Sequence, residues 1–208
     1  MWSVETAEVL TIGHSTLPYE RFLELVRKAG VTAIADVRTS PFSRHFPQFN
    51  KDTLKDELRM DGIAYSFLGK ELGGRPTGRQ FYCDGVADYE RMAQSADFER
   101  GLGRVLEGAR KYRIALMCSE HDPLDCHRCL LVGRALAERG VAVKHILSDG
   151  TIADQHDIEE RLLVFAKQEN TDMFLSRDEQ LAEAYRKRGR KVAYAEQSES
   201  SAPQTAAE

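Results

Sequence analysis

Five short apolar runs, at residues 9–12, 32–38, 63–68, 112–118 and 141–147, alternate in this chain with stretches whose apolar residues recur at helical spacing. That alternation restricts the fold more than any other property of the sequence. Short strands with few polar positions belong in a sheet covered on both faces. A helix between two such strands supplies cover and returns the chain for a parallel, right-handed pairing. The first unit shows the pattern. Val9-Leu-Thr-Ile12 runs into Gly13-His14-Ser15, and Phe22, Leu23, Val26 and Ala29 then mark one helix face until Gly30 stops it. Thr32-Ala-Ile-Ala-Asp36-Val37-Arg38 forms the next strand, ending at Ser40-Pro41. Further helices are expected over 51–60, 98–110, 126–139, 157–167 and 175–187. The expected fold is α/β, three layers around a mainly parallel sheet of about five strands. One domain over 1–190 is expected, and the shift to Ser, Glu, Gln, Ala and Pro after Arg190 predicts a disordered tail over 191–208.

Composition narrows the function classes. A net charge of −4 gives no global basic field, so broad non-specific nucleic-acid binding is not indicated, although a local basic patch is compatible with it. No apolar run reaches the roughly 20 residues a membrane-spanning helix needs. The first residues, Met1-Trp-Ser-Val-Glu-Thr-Ala-Glu, lack the basic and apolar regions of a signal peptide. Clustered rather than distributed cysteines suit a reducing compartment, and the expected location is the cytoplasm.

Polar residues gather where the strands end: Gly13-His14-Ser15, Asp36-Val37-Arg38 with Ser40-Pro41, the turn over 118–129, and His145. Parallel strands bring their carboxyl ends to one sheet edge, where ligands of open α/β sheets bind. Asp36 and Arg38 are read as pointing to opposite faces, so that one of them reaches the crevice. An arginine there suits a phosphate or carboxylate, and an internal ion pair with a nearby acid is the equal alternative. The loop over 69–85 is long, Gly-rich, basic and aromatic, as functional loops often are.

The turn over 118–129 holds three of the four cysteines and two of the six histidines. Three readings stay open. Cys118 and Cys126, with one or more of Glu120, His14, His127 and His145, form a zinc or iron site; His145 is the histidine placed with the two thiols. Alternatively Cys126 or Cys118 is a nucleophile, since Cys126 falls near a helix start beside Arg128. In the third, the cysteines only pack, which is the better account of Cys83 and Cys129. The spacing Cys126-His-Arg-Cys129 also fits a dithiol redox pair, a weaker reading because so short a motif arises by chance.

Gly13-His14-Ser15, Asp36-Val37-Arg38-x-x-Pro41, Leu68-Gly69-x-x-Leu72-Gly73-Gly74, Cys118-x-Glu120-x-x-Pro123-x-x-Cys126-His127-Arg128 and His145-Ile146 stand in one order and spacing. In these motifs the chain resembles, from about residue 8 to about residue 150, the family called domain of unknown function 488. The resemblance implies a Rossmann-like topology without an assigned reaction. Its shared residues fall on His14, Ser15, Asp36, Arg38, Pro41, Glu120, Cys126, His127 and Arg128.

The leading expectation is an enzyme, a hydrolase or transferase, acting on a phosphorylated or nucleotide-like small molecule or a nucleic-acid end. His14, Glu120, Cys126 and His127 are the catalytic candidates. Ser15, Asp36, Arg38, Ser40, Arg75 and Arg128 are the substrate-binding candidates, the arginines holding the anion. Aromatics of the loop over 75–82, or of residues 42–49, could stack on a base, although packing is the favoured account of the latter. The alternatives are a zinc or iron protein built on Cys118, Cys126 and a histidine, and a non-catalytic nucleotide-sensing or interaction module.

Overall fold

In the computed structural model, which describes residues 7–168 and 175–196, six strands form one sheet in the order β3-β2-β6-β1-β7-β8. They are β1 (Glu8–Gly13), β2 (Ala33–Asp36), β3 (Ala64–Phe67), β6 (Ile114–Cys118), β7 (Ala142–Ile146) and β8 (Ile152–Asp154). All neighbours pair in parallel except β8, which returns antiparallel along β7. The five strands expected from the apolar runs are present, and β8 is an added edge.

Alternate side chains of the central strands feed opposite layers, as the pleat requires. Leu10, Ile12, Ile34, Ala115 and Met117 pack under α1 (Tyr19–Lys28) and α2 (Lys51–Met60), against Phe22, Leu25, Val26, Leu54 and Leu58. Val9, Ala33, Ala35, Val37, Ile114, Leu116 and Cys118 face the other way. There they meet Phe98, Leu102 and Val105 of α5 (Ala96–Ala109) and Leu136 of α6 (Arg134–Ala137). The result is a three-layer, Rossmann-like α/β fold. Burial of each amphipathic face at roughly 25 cal/mol per Å² of apolar surface supplies the main favourable term.

A third apolar cluster lies beneath α7 (Gln155–Gln168) and α8 (Arg177–Val192). A buried polar chain ties it to the sheet. Thr11 Oγ1 lies 2.8 Å from His145 Nδ1, His145 Nε2 2.8 Å from Gln155 Oε1, and Gln155 Nε2 2.6 Å from the Tyr185 hydroxyl. The Gln155 oxygen can only accept, so His145 donates from Nε2 and accepts at Nδ1 from Thr11.

The loop over 69–85 contains α3 (Gly69–Leu72), a 3₁₀ turn at Arg79–Phe81, and β4 (Tyr82–Cys83), which pairs with β5 (Val86–Ala87); α4 (Tyr89–Ala93) follows. Residues 191–196, which the composition assigns to the expected tail, are structured. Residues up to Val192 continue α8, and the segment beyond it binds the hairpin, the Ala87 amide donating to the Tyr194 carbonyl and that of Glu196 to the Gly85 carbonyl. Residues 197–208 of the expected tail lie outside the described residues. No helix among the described residues is long and apolar enough to cross a membrane.

Candidate functional site

Beyond the carboxyl ends of β2 and β6 lies a cavity of about 330 Å³. Arg38, Thr39 and Ser40 leave β2 along one side, and Cys118, Ser119 and Glu120 leave β6 along another. Asp125, Cys126 and His127 form its floor, Tyr89 the start of α4, and Gly74, Arg75, Val192 and Tyr194 its outer wall. The Arg75 guanidinium lies 4.8 Å over the Tyr194 ring.

At the floor, Cys118, Cys126 and His127 place one donor atom each within 4.8 Å of the others. His127 Nδ1 is 3.7 Å from Cys118 Sγ and 3.9 Å from Cys126 Sγ. Its Nε2–H donates to the Val37 carbonyl at 3.0 Å, which fixes the ring and leaves Nδ1 turned to the sulfurs. The Arg128 amide donates to Cys126 Sγ at 3.4 Å. Burial opposes ionisation of Cys126, but hydrogen bonding from Cys118 and the charges of Arg128 and His127 outweigh it and hold the thiol well below its ordinary range. The same bond, with burial, pushes Cys118 well upward. Burial disfavours charge on His127, yet the Cys126 thiolate beside it raises its pKa. Burial, then the Cys126 thiolate, raise that of Glu120.

The other expected site residues are placed differently. Asp36 and Arg38 do not point to opposite faces: residues two apart on an extended strand share one, and these two grip each other. Asp36 Oδ1 accepts from the Arg38 amide and Nε at 3.1 and 2.9 Å, and Oδ2 accepts from Nη2 at 2.6 Å and from Tyr65 at 2.7 Å. Arg38 Nη2 also donates to the Phe49 carbonyl at 2.8 Å, and Nη1 to His14 Nε2 at 3.2 Å. Arg38 touches the cavity but spends most of its donors on the fold; the internal ion pair is the alternative that holds.

His14 is stacked on Phe49 at 4.2 Å and donates from Nδ1 to the Ser15 carbonyl at 2.9 Å. Burial and the Arg38 charge lower its pKa to about 4; it meets Arg38 and does not line the cavity. Ser15, at φ 46°, donates its amide to the Ser119 carbonyl and shapes the turn. Arg128 is 0 % exposed and lies outside the lining. Its guanidinium binds the Glu120 and His121 carbonyls at 2.6 and 3.1 Å and so supports the turn. Gly13 makes room for this turn, since a Cβ there would stand 1.8 Å from the Glu120 carbonyl oxygen.

His145, placed with the thiols in the sequence reading, belongs to the Thr11–Gln155 chain, and both ring nitrogens are occupied there. The histidine beside the sulfurs is His127. Cys129 packs in the α7–α8 cluster, its thiol pushed up to about 12 by burial. Phe81 and Tyr82 pack against the core, and Tyr82 also bonds the Pro76 carbonyl, so no aromatic of that loop lies over the cavity. Phe49 is buried and Phe46 packs beside it, whereas Phe42 is 67 % exposed.

Tyr194, Tyr89 and Gly74 were not singled out as site residues. Gly74 alone carried a signal, as part of a Gly-Gly pair: a Cβ there would lie 2.8 Å from His127 Nδ1 and 2.9 Å from its Cγ. Tyr194 sits in a stretch whose composition reads as tail.

A three-layer fold around a mainly parallel sheet, with a thiol–imidazole cluster in the crevice at the sheet's carboxyl edge, defines a Rossmann-like α/β protein with a concave, polar site. The chain belongs to the family described as domain of unknown function DUF488, whose model matches residues 18–135, from just before α1 to α6. Comparison with curated proteins and with solved structures found no match.

Proposed function

We propose that this protein is an enzyme, a hydrolase or transferase, acting on a small phosphorylated or nucleotide-like substrate in this cavity. One observation carries the reading: a soft reactive cluster, a partly desolvated carboxyl and an arginine converge on one concavity at the carboxyl edge of a parallel sheet. Cys118, Cys126 and His127 form the reaction centre. Glu120 serves as acid and base, since its carboxyl lines the same cavity. Arg75, with Thr39 and Ser40 beside it, holds the anion, because its guanidinium has an aromatic support and, among the described residues, no acid bound to it. Arg38, His14 and Arg128 are positioning residues. Clustered free thiols suit the cytoplasm, where they stay reduced.

The test begins with thermal stabilisation by a panel of phosphates, nucleotides and short oligonucleotides, followed by turnover assays on the ligands that stabilise. Glu120→Gln is expected to lower turnover by about 10²–10⁴-fold with Tm unchanged. Arg75→Ala is expected to weaken binding of the anion without loss of stability. A panel in which no anion raises Tm refutes the reading.

A further inference from the structure

The geometry points to a metal centre: we propose that Cys118, Cys126 and His127 bind one zinc-class divalent ion in tetrahedral fashion, with its fourth position open to the cavity. This deepens the enzyme reading and rests on it for the ion's contact with substrate, while the ion site itself rests on the donors.

The separations fit. Bond lengths of about 2.3 Å to sulfur and about 2.0 Å to nitrogen, at tetrahedral angles, place sulfur and nitrogen about 3.5 Å apart and two sulfurs about 3.8 Å apart. His127 Nδ1 is 3.7 and 3.9 Å from the two sulfurs, and all three donors lie within 4.8 Å of one another. A common neighbour at bonding distance from all three thus needs little movement.

The supporting bonds fit as well. Metal-ligating histidines characteristically donate their second ring N–H to a carbonyl or carboxylate, and His127 does so to Val37. That bond keeps the lone pair of Nδ1 on the side of the sulfurs. The Arg128 amide steadies Cys126 Sγ in the way a second ring of hydrogen bonds steadies a ligand thiolate. Charge balances too: two thiolates and a neutral imidazole around a divalent cation sum to zero, which lowers the penalty of burial.

The donor set selects the ion. Two thiolates and an imidazole suit zinc and disfavour magnesium or calcium, which take oxygen ligands. Three protein ligands with a fourth position toward a cavity is the arrangement of a catalytic zinc, not of a closed structural one. Gly74 lies against the Nδ1–Cγ side of the ring, where even a methyl would crowd it.

The experiment uses the full chain, prepared without chelators or nickel resin from zinc-supplemented cells. Elemental analysis is expected to give about one equivalent of zinc, and cobalt substitution the intense visible bands and sulfur charge-transfer absorption of a tetrahedral thiolate site. Cys126→Ser and His127→Ala are expected to lower zinc to below about a tenth of an equivalent, and Cys129→Ser to retain it. Should the first two variants fail to fold, the cobalt spectrum of the unaltered chain still decides. Folded wild-type protein that holds less than about a tenth of an equivalent, and gives no tetrahedral cobalt spectrum, overturns the inference. So does a cobalt spectrum without sulfur charge transfer. Protein that binds neither zinc nor cobalt yet turns an anionic substrate over would refute the ion and keep the enzyme; a bound ion with no anion affinity would do the reverse.

Discussion

Replacing Arg38 by methionine separates a structural role from a substrate-binding one. The side chain is 5 % exposed and its partner Asp36 is 0 % exposed. Of the four bonds that Asp36 accepts, Arg38→Met removes those from Nε and Nη2 and keeps those from the residue 38 amide and Tyr65. It also strips a donor from the Phe49 carbonyl and one from His14 Nε2. A buried carboxylate left half-satisfied costs about 3–5 kcal/mol when its partner is deleted. At about 2–4 °C per kcal/mol for a chain of this size, Tm should fall by roughly 6–20 °C. Urea unfolding followed by circular dichroism measures this as a lower midpoint at constant slope. In the Arg38→Met background, Asp36→Asn removes the uncompensated charge and should restore part of the loss, leaving a coupling of about 0.5–3 kcal/mol in a double-mutant cycle. An Arg38→Met variant within about 1 kcal/mol of wild type, with anion binding abolished, would refute the structural assignment and return Arg38 to the substrate.

Two further outcomes follow from the packing. Burial lowers the His145 pKa from its ordinary value of 6.5 to about 4. The unfolded chain therefore binds more protons between those values, so the stability present at neutral pH is lost as pH falls through 6.5 toward 4, by up to about 1.4 kcal/mol per pH unit. Urea midpoints at pH 7, 6 and 5 should show a component that His145→Asn abolishes, and an identical slope in that variant would contradict the burial argument. Gly74→Ala would set a methyl 2.8 Å from a ring that its Val37 bond prevents from yielding. The expected result is a loss of about 1–3 kcal/mol, with faster iodoacetamide labelling of Cys126 as the loop lifts. Unchanged Tm and unchanged labelling would show that the loop accommodates the methyl freely.

Most of the fold was legible in the sequence, because strands and helices are set by local periodicity: each apolar run became a strand, and Gly30, Gly62 and Gly140 mark turns at positive φ. The strand β8 escaped because three edge residues, Ile152–Asp154, make no apolar pattern. The order of residues 193–196 escaped because hairpin pairing, and not composition, holds the chain around Tyr194.

The sequence by itself determined that reactive side chains crowd the carboxyl ends of parallel strands, and which residue types they are. Only the tertiary structure decided how they divide. The pleat sends Ile34, Asp36 and Arg38 to the face that His14 and Tyr65 share, and sends Val37 and Cys118 to the opposite one. Two clusters near one sheet edge thus become an internal ion-pair network on one side and a thiol–imidazole site on the other. Which histidine meets the sulfurs was settled in the same way. His145 is held two strands away from Cys118, with β1 between β7 and β6, and is engaged by Thr11 and Gln155. His127 follows Cys126 directly and turns Nδ1 toward both sulfurs because its other nitrogen is tied to Val37. Register between strands and the orientation of a single ring depend on contacts far apart in the chain, and no local pattern encodes them.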